Sequence, residues 1–222
     1  MVAPVLLFHP GAMTVTQAGL EPIGTGRRPL VVLVGPSGAG KSSLARDLQG
    51  RGIVSIHPSW TTRPPRPNEG GGSFEHRFVS DHDFDELDHA GFFTARGTIH
   101  GLPYRYGIPA IDRGAEGPLD AVIWRARHIA QLRCLASDCL VYQVADTDIR
   151  IERRIATRGT TRNEVESRAA DNISELSAGR RVAHRVFQNH GSLEGLSQQV
   201  LAGLIADTSA TATGSATSGV HR

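Results

Sequence analysis

Two stretches of this chain carry residues whose types and spacing suit the handling of anionic oxygens. The first reads Gly35-Pro-Ser-Gly-Ala-Gly-Lys-Ser-Ser43 and fits G-x-x-x-x-G-K-[ST]. Glycines let backbone N–H groups converge on phosphate oxygens without side chains in the way. A helix starting after them adds its positive N-terminal end. Lys41 would reach the β- and γ-phosphates of a nucleotide, and the Ser42 hydroxyl would ligate Mg²⁺. The expected nucleotide-binding set is Gly35, Pro36, Ser37, Gly38, Ala39, Gly40, Lys41, Ser42 and Ser43, with ATP and Mg²⁺ as the ligands.

The second stretch, Ser59-Trp-Thr-Thr-Arg-Pro-Pro-Arg-Pro67, places Arg63 and Arg66 three apart, each before a proline. A residue before proline is pushed into extended backbone. A polyproline strand repeats every ~3 residues and rises ~3.1 Å per residue, so both side chains leave one face, rooted about 9 Å apart. Each guanidinium is a planar fork matched to phosphate. A solvated Pro-rich loop or a P-x-x-P ligand would use the same residues. What favours an anion site is the company of Tyr104 and Tyr106 in GLPYRYGIP. Two phosphate sites in one chain suggest phosphoryl transfer between two phosphorylated molecules, a chemistry that needs mostly positioning and charge neutralisation.

Such groups need a scaffold, and the apolar pattern supplies one. Residues 29–34 are continuously apolar, as in a strand buried on both faces of a parallel sheet. Four further short runs follow at 53–56, 121–124, 140–144 and 186–187. Helical stretches are expected at 41–50, 126–136 and 147–158, which gives an α/β domain with a five-stranded parallel sheet core. The segment 57–110 breaks the rhythm and reads as an inserted small acceptor-binding subdomain. Within it Ser80 and Asp83 form a capping box, and Phe84 and Leu87 the buried stripe of the helix that follows. Residues 146–182 are arginine-rich and read as a helical lid. The core is then 28–56, 111–145 and 183–206, within a domain spanning 28–206. Residues 1–27 read as a poorly ordered leader, with Met13 as an alternative start, and 207–222 as a disordered polar tail.

The bulk numbers set limits. Of 222 residues, 39% are hydrophobic and 21% charged, as in a globular chain. A net charge of +2 gives no reason to expect nucleic acid. No apolar run approaches the ~20 residues of a membrane span. Cys134 and Cys139 are expected as reduced thiols of a cytoplasmic protein. The sequence leaves oligomeric state open.

From the phosphate loop to about residue 206 the chain resembles the guanylate kinase family of P-loop kinases. GPSGAGKSSL, SWTTRPPRPNEGG, HRFVSDHDF, YRYGIP, RIATRGTTRNEVESR and VFQNHGSLEGL carry the likeness. The resemblance implies a three-layer P-loop kinase fold and ATP-dependent transfer to a small phosphorylated substrate, GMP first. It implies that Ser59, Arg63, Arg66 and Tyr106 hold the acceptor's phosphate. His76 stands at a family tyrosine, and an imidazole there can still donate to phosphate. Arg154, Arg158 and Arg168 match arginines that close over ATP and, with Lys41, stabilise the transferring group. Asn189 matches a residue near the adenine.

Three positions depart from the family pattern. Ala95 stands where a glutamate accepts from guanine, Ile108 where a Ser or Thr reads its carbonyl, and Trp124-Arg125 where an acidic D-x-D ends the third strand. HGLPYRYGIP is similar to the ribose 1,5-bisphosphate phosphokinases, which make phosphoribosyl diphosphate and also lack the glutamate. Ribose 1,5-bisphosphate is therefore the second acceptor. Non-catalytic guanylate kinase-like scaffold modules are a third reading, though their phosphate loops are usually degraded.

Overall fold

The computed structural model describes residues 28–66, 69, 73–99, 102–132, 139–147, 150–151 and 162–214. Side chains in 162–214 are described at Glu166 and from 171 to 209. The strands are β1 (Leu30–Val34), β2 (Val54–Ile56), β3 (Ser59–Thr61), β4 (His76–Phe78), β5 (Phe93–Thr98), β6 (Arg105–Pro109), β7 (Leu119–Ile123), β8 (Cys139–Ala145) and β9 (Arg185–Gln188). The helices are α1 (Lys41–Gly50), α2 (Asp81–His89), α3 (Arg162–Val182) and α4 (Leu193–Gly214).

Five strands form the main sheet in the order β2-β7-β1-β8-β9, and every pairing is parallel. β1 lies at its centre, buried along its whole length, which is why its sequence is apolar without alternation. On one face Val31, Leu33 and Tyr142 pack against Leu44 and Leu48 of α1 and Leu196, Val200 and Leu204 of α4. On the other, Val32, Val122 and Val141 pack with Trp124, Tyr106, Ile108 and Ala178 of α3. The five-stranded parallel sheet expected from the strand–helix alternation, and the three layers that the resemblance implies, are thus present.

The second sheet, β4-β3-β6-β5, is the inserted subdomain. α2 closes it. The Ser80 hydroxyl accepts from the Asp83 N–H at 3.0 Å, and Asp83 accepts in return from the Ser80 N–H at 3.3 Å. Phe84 is buried and stacks on Phe93 at 4.6 Å between ring centres. Leu87, expected beside it in the stripe, is only half-buried.

Several expectations shift. The helix expected at 126–136 is a 3₁₀ helix at Ala126–Leu132. The Ala126 N–H at its start, an orphan donor of the first turn, is satisfied by the Glu175 carboxylate of α3 at 2.7 Å. Of the helix expected at 147–158, Arg150 and Ile151 are helical and most of the rest lies outside the described residues. The tail expected from Asp207 is instead the end of α4, which runs to Gly214. Asp207 is fixed by Tyr142 and Arg185, and the Thr208 hydroxyl donates to the Leu204 carbonyl at 2.7 Å. Cys139 is disulfide-bonded, not a thiol; the chain's other cysteine, Cys134, lies outside the described residues. That expectation rested on compartment, which says nothing of local geometry. Among the described residues no helix is long and apolar enough to cross a membrane.

Candidate functional site

The phosphate loop leaves β1 at Gly35 and enters α1 at Lys41. Gly35 has φ 130°, and a Cβ there would stand 2.2 Å from the Val144 carbonyl oxygen, so only glycine lets the loop cross the top of β8. Lys41 curls back over the loop and donates to the carbonyls of Gly35 at 2.7 Å and Pro36 at 2.8 Å. Two asparagines brace it. The Asn189 side chain, buried, donates to the Ala39 carbonyl at 2.8 Å and accepts from the Gly191 N–H at 3.1 Å. The resemblance implies a place near the adenine for Asn189; what the structure shows is a bracing role at the loop. Asn172 of α3 accepts from the Ser37 N–H at 2.8 Å.

Across from the loop stands the arginine pair. Ser59 is buried on β3, in register with His76 on β4, and its hydroxyl lies 2.8 Å from His76 Nδ1. Tyr106 on β6 is in register with Thr61, and its ring lies 6.0 Å from that of His76. Arg63 and Arg66 converge on the carboxylate of Glu69. Arg63 donates to Glu69 Oε1 at 3.0 Å and Arg66 at 3.2 Å, while the Arg66 N–H reaches Oε2 at 2.9 Å. Burial works to raise the Glu69 carboxyl, but these donors outweigh it and bring its pKa down to about 2. Glu69 was missed as a site residue, although it is the glutamate of SWTTRPPRPNEGG.

Both candidate anion sites open into one cleft of about 340 Å³, a volume suited to a small-molecule ligand. Its lining includes Ser37, Gly38, Gly40, Lys41, Ser42 and Ser43 of the loop, with Asn189, and Ser59, Arg63, Arg66, His76 and Tyr106 of the subdomain. Gly35, Pro36 and Ala39 support it from the backbone. Arg154 and Arg158 lie outside the described residues, as does the side chain of Arg168, whose backbone is in α3.

The rest of the wall differs in kind. Ile99, Ile123 and Trp124 line the cleft. Ala95 and Ile108 are register partners packed in the same apolar cluster as Ile99, Tyr106 and Trp124. Arg125 also lines the cleft, and it is tied to Asp171 and, at 3.5 Å, to Glu175 of α3. Arg127 pairs with Asp171 as well. Burial pushes the Glu175 carboxyl up, and the N–H of Ala126 opposes that shift in part. Beside the loop, the Ser42 hydroxyl donates to Glu75 Oε2 at 2.6 Å. Neither Glu75 nor Asn172 was expected from the sequence.

A phosphate loop between a buried parallel strand and a helix, facing two arginines of an inserted sheet across one cleft, defines a P-loop phosphotransferase of the nucleotide kinase type. The sequence model of the family described as "Guanylate kinase" matches residues 27–188. A guanylate kinase of Streptomyces kasugaensis is 31% identical over 202 residues, 86% of this chain and 94% of that protein. One from Nocardia farcinica is 34% identical over 157 residues, 67% of this chain and 80% of that protein. The crystal structure of guanylate kinase from Anaplasma phagocytophilum matches with TM-score 0.60 at 19% identity, covering 82% of this chain and 87% of that one. That structural likeness supports the fold. The chain belongs to the guanylate kinase family, whose members use ATP and Mg²⁺. The oxygen donors of Ser42 and Glu75, adjacent in the cleft, are of the hard type that Mg²⁺ takes.

Proposed function

We propose that this protein is a cytoplasmic enzyme that transfers the γ-phosphoryl group of ATP to the phosphate of GMP, giving GDP and ADP. The observation that carries the reading is the shared cleft, with the lysine and serine of the phosphate loop on one wall and Ser59, Arg63, Arg66 and His76 on the other. A phosphate held by the two guanidinium groups faces the place where the loop holds a γ-phosphate. Phosphate oxygen attack on phosphorus then needs little beyond alignment and neutralised charge. Lys41 neutralises charge at the loop. Arg63 and Arg66, released from Glu69 by the incoming phosphate, neutralise it on the acceptor. The Ser42 hydroxyl would hold Mg²⁺, which when bound offsets charge on the β- and γ-oxygens. Arg154, Arg158 and Arg168 complete the proposed set from the lid. The relatives' printed names support GMP as the acceptor.

A second reading, ribose 1,5-bisphosphate as acceptor, is favoured by one observation: Ala95 and Ile108 present no polar group to a purine. The two separate in one experiment, ADP release from purified protein with GMP, dGMP, AMP and ribose 1,5-bisphosphate in parallel. Turnover of GMP is expected. Turnover of ribose 1,5-bisphosphate with none of the purine nucleotides would overturn that choice. Lys41→Ala is expected to abolish whatever activity is seen, and its survival would overturn the phosphate-loop mechanism.

A further inference from the structure

The phosphate loops of nucleotide-handling enzymes commonly pair their Ser or Thr with an acidic residue from a neighbouring strand of the core sheet, and the two together support the metal. Of the two core strands beside β1, β7 ends at Ile123 and is followed by Trp124 and Arg125, and β8 ends at Ala145 and is followed by Asp146, which lies 3.9 Å from Arg150. Nearby carboxylates are engaged elsewhere. Asp171 and Glu175 hold Arg125, Asp120 lies 2.6 Å from His57, and Glu69 holds Arg63 and Arg66. Among the described residues that line the cleft, Glu75 is the one carboxylate.

We propose that Glu75 is the acidic support of the magnesium site, supplied by the acceptor-binding subdomain instead of the core sheet. The inference rests on the reading of Gly35–Ser42 as a MgATP loop. The Ser42 hydroxyl has one proton and gives it to Glu75 Oε2 at 2.6 Å. Its lone pairs are thereby turned away from the carboxylate and left for a cation. A carboxylate that orients a metal ligand in this way raises the ligand's basicity and fixes its direction. The negative charge also sits next to the ion without needing direct contact.

The position is built, not incidental. The Glu75 carbonyl accepts from the Ser59 N–H at 2.9 Å, and Glu75 directly precedes β4, which pairs with β3. The residue that supports the metal and the residues that receive the acceptor's phosphate, Ser59 and His76, therefore share one pair of strands.

The test uses Mn²⁺ as a spectroscopic probe of the full chain loaded with ADP, followed by electron paramagnetic resonance. Glu75→Gln keeps an acceptor for the Ser42 hydroxyl and removes the charge. It is expected to weaken Mn²⁺ binding to the nucleotide-loaded protein by roughly 10- to 100-fold, with ADP affinity in chelator unchanged. Glu75→Asp retains the charge and is expected to fall between the two. Equal Mn²⁺ affinity in wild type and Glu75→Gln, with ADP bound in both, would overturn the proposal and leave the nucleotide reading intact. Failure of the wild-type chain to bind ADP with or without metal would overturn the nucleotide reading itself, and the proposal with it.

Discussion

Ala95 and Ile108 lie opposite one another across β5 and β6, at 0% and 1% exposure, within the apolar cluster that joins the inserted sheet to the core. The proposed phosphate end of the cleft is charged and hydrogen-bonded, whereas Ile99, Ile123 and Trp124 line the rest beside Arg125, which Asp171 and Glu175 hold. On the proposed reading an acceptor meets two arginine forks at its phosphate and mostly apolar surface at its other end, with no polar group from Ala95 or Ile108.

This asymmetry predicts weak base selection. A site built to hydrogen-bond its substrate rejects an analogue lacking the partner group by ~10⁴-fold or more, whereas an apolar pocket discriminates by ~10²-fold. The ratio of kcat/KM for GMP over AMP is expected near the lower figure. Steady-state kinetics with both nucleotides checks it, and a ratio above ~10⁴ would show that another side chain reads the base.

Glu69 sets a second expectation, in acid. Its ordinary pKa is 4.5, and burial would raise it further, but hydrogen bonds from Arg63 and the Arg66 N–H bring the folded value to about 2. A folded pKa below the unfolded one means the proton prefers the unfolded chain. The contribution to stability is complete above pH 4.5 and is lost as pH falls from there toward 2. Urea midpoints measured at pH 5 and pH 3 should fall more for wild type than for Glu69→Gln. Equal losses in the two proteins would remove Glu69 as a contributor.

The parts of the molecule that were legible in the sequence are those with a local signature. β1 is apolar throughout because both its faces are covered. The loop needs glycine where Val144 crowds it, and Ser80 with Asp83 closes a cap over three residues. The bonds that tie the site together have no such signature. Ser42 and Glu75 are separated by 33 positions and Ser37 and Asn172 by 135, and neither pair follows any periodicity. Glu69 lay in view three residues after Arg66, yet a reading of Arg63 and Arg66 as a clamp for an external anion leaves no place for an internal one. The end of α4 was hidden for a different reason: its Ser, Ala and Thr composition matches that of unstructured tails, and only Tyr142 and Arg185, distant in sequence, show why it is helical.

Asp171 is the hub between the cleft and α3. Its side chain is fully buried against Arg125 and Arg127, which are 13% and 28% exposed. Removing one partner of a buried pair costs about 3–5 kcal/mol, with the lower end apt where the remaining charges can recruit water. Asp171→Ala is therefore expected to lower unfolding free energy by about 3 kcal/mol, read from urea denaturation. It should also raise the KM for ATP, because Asn172, the next residue, holds Ser37 of the phosphate loop. A stable variant with unchanged KM would show that the network does not position the loop.

Asp207 ties the last turns of α4 to the sheet. The Tyr142 hydroxyl, on a side chain buried in the core, donates to Asp207 Oδ2 at 2.8 Å. Arg185 grips the same carboxylate from the surface, its Nη2 at 2.6 Å from Oδ1. The exposed ion pair is worth little by itself. The buried phenol matters more, because removing its acceptor leaves a polar group stranded at a cost of about 1–3 kcal/mol. Asp207→Ala should lose stability in that range, and Asp207→Asn, which keeps an acceptor, should lose less. Adding Tyr142→Phe to Asp207→Ala removes the stranded hydroxyl and should recover part of the loss, giving a coupling free energy of about 0.5–3 kcal/mol in a double-mutant cycle. Independent, additive effects would mean that Asp207 acts through Arg185 alone. A chain ended at Ala206 is expected to be at least as destabilised as Asp207→Ala, since it loses this acceptor and the Thr208 bond to Leu204 together.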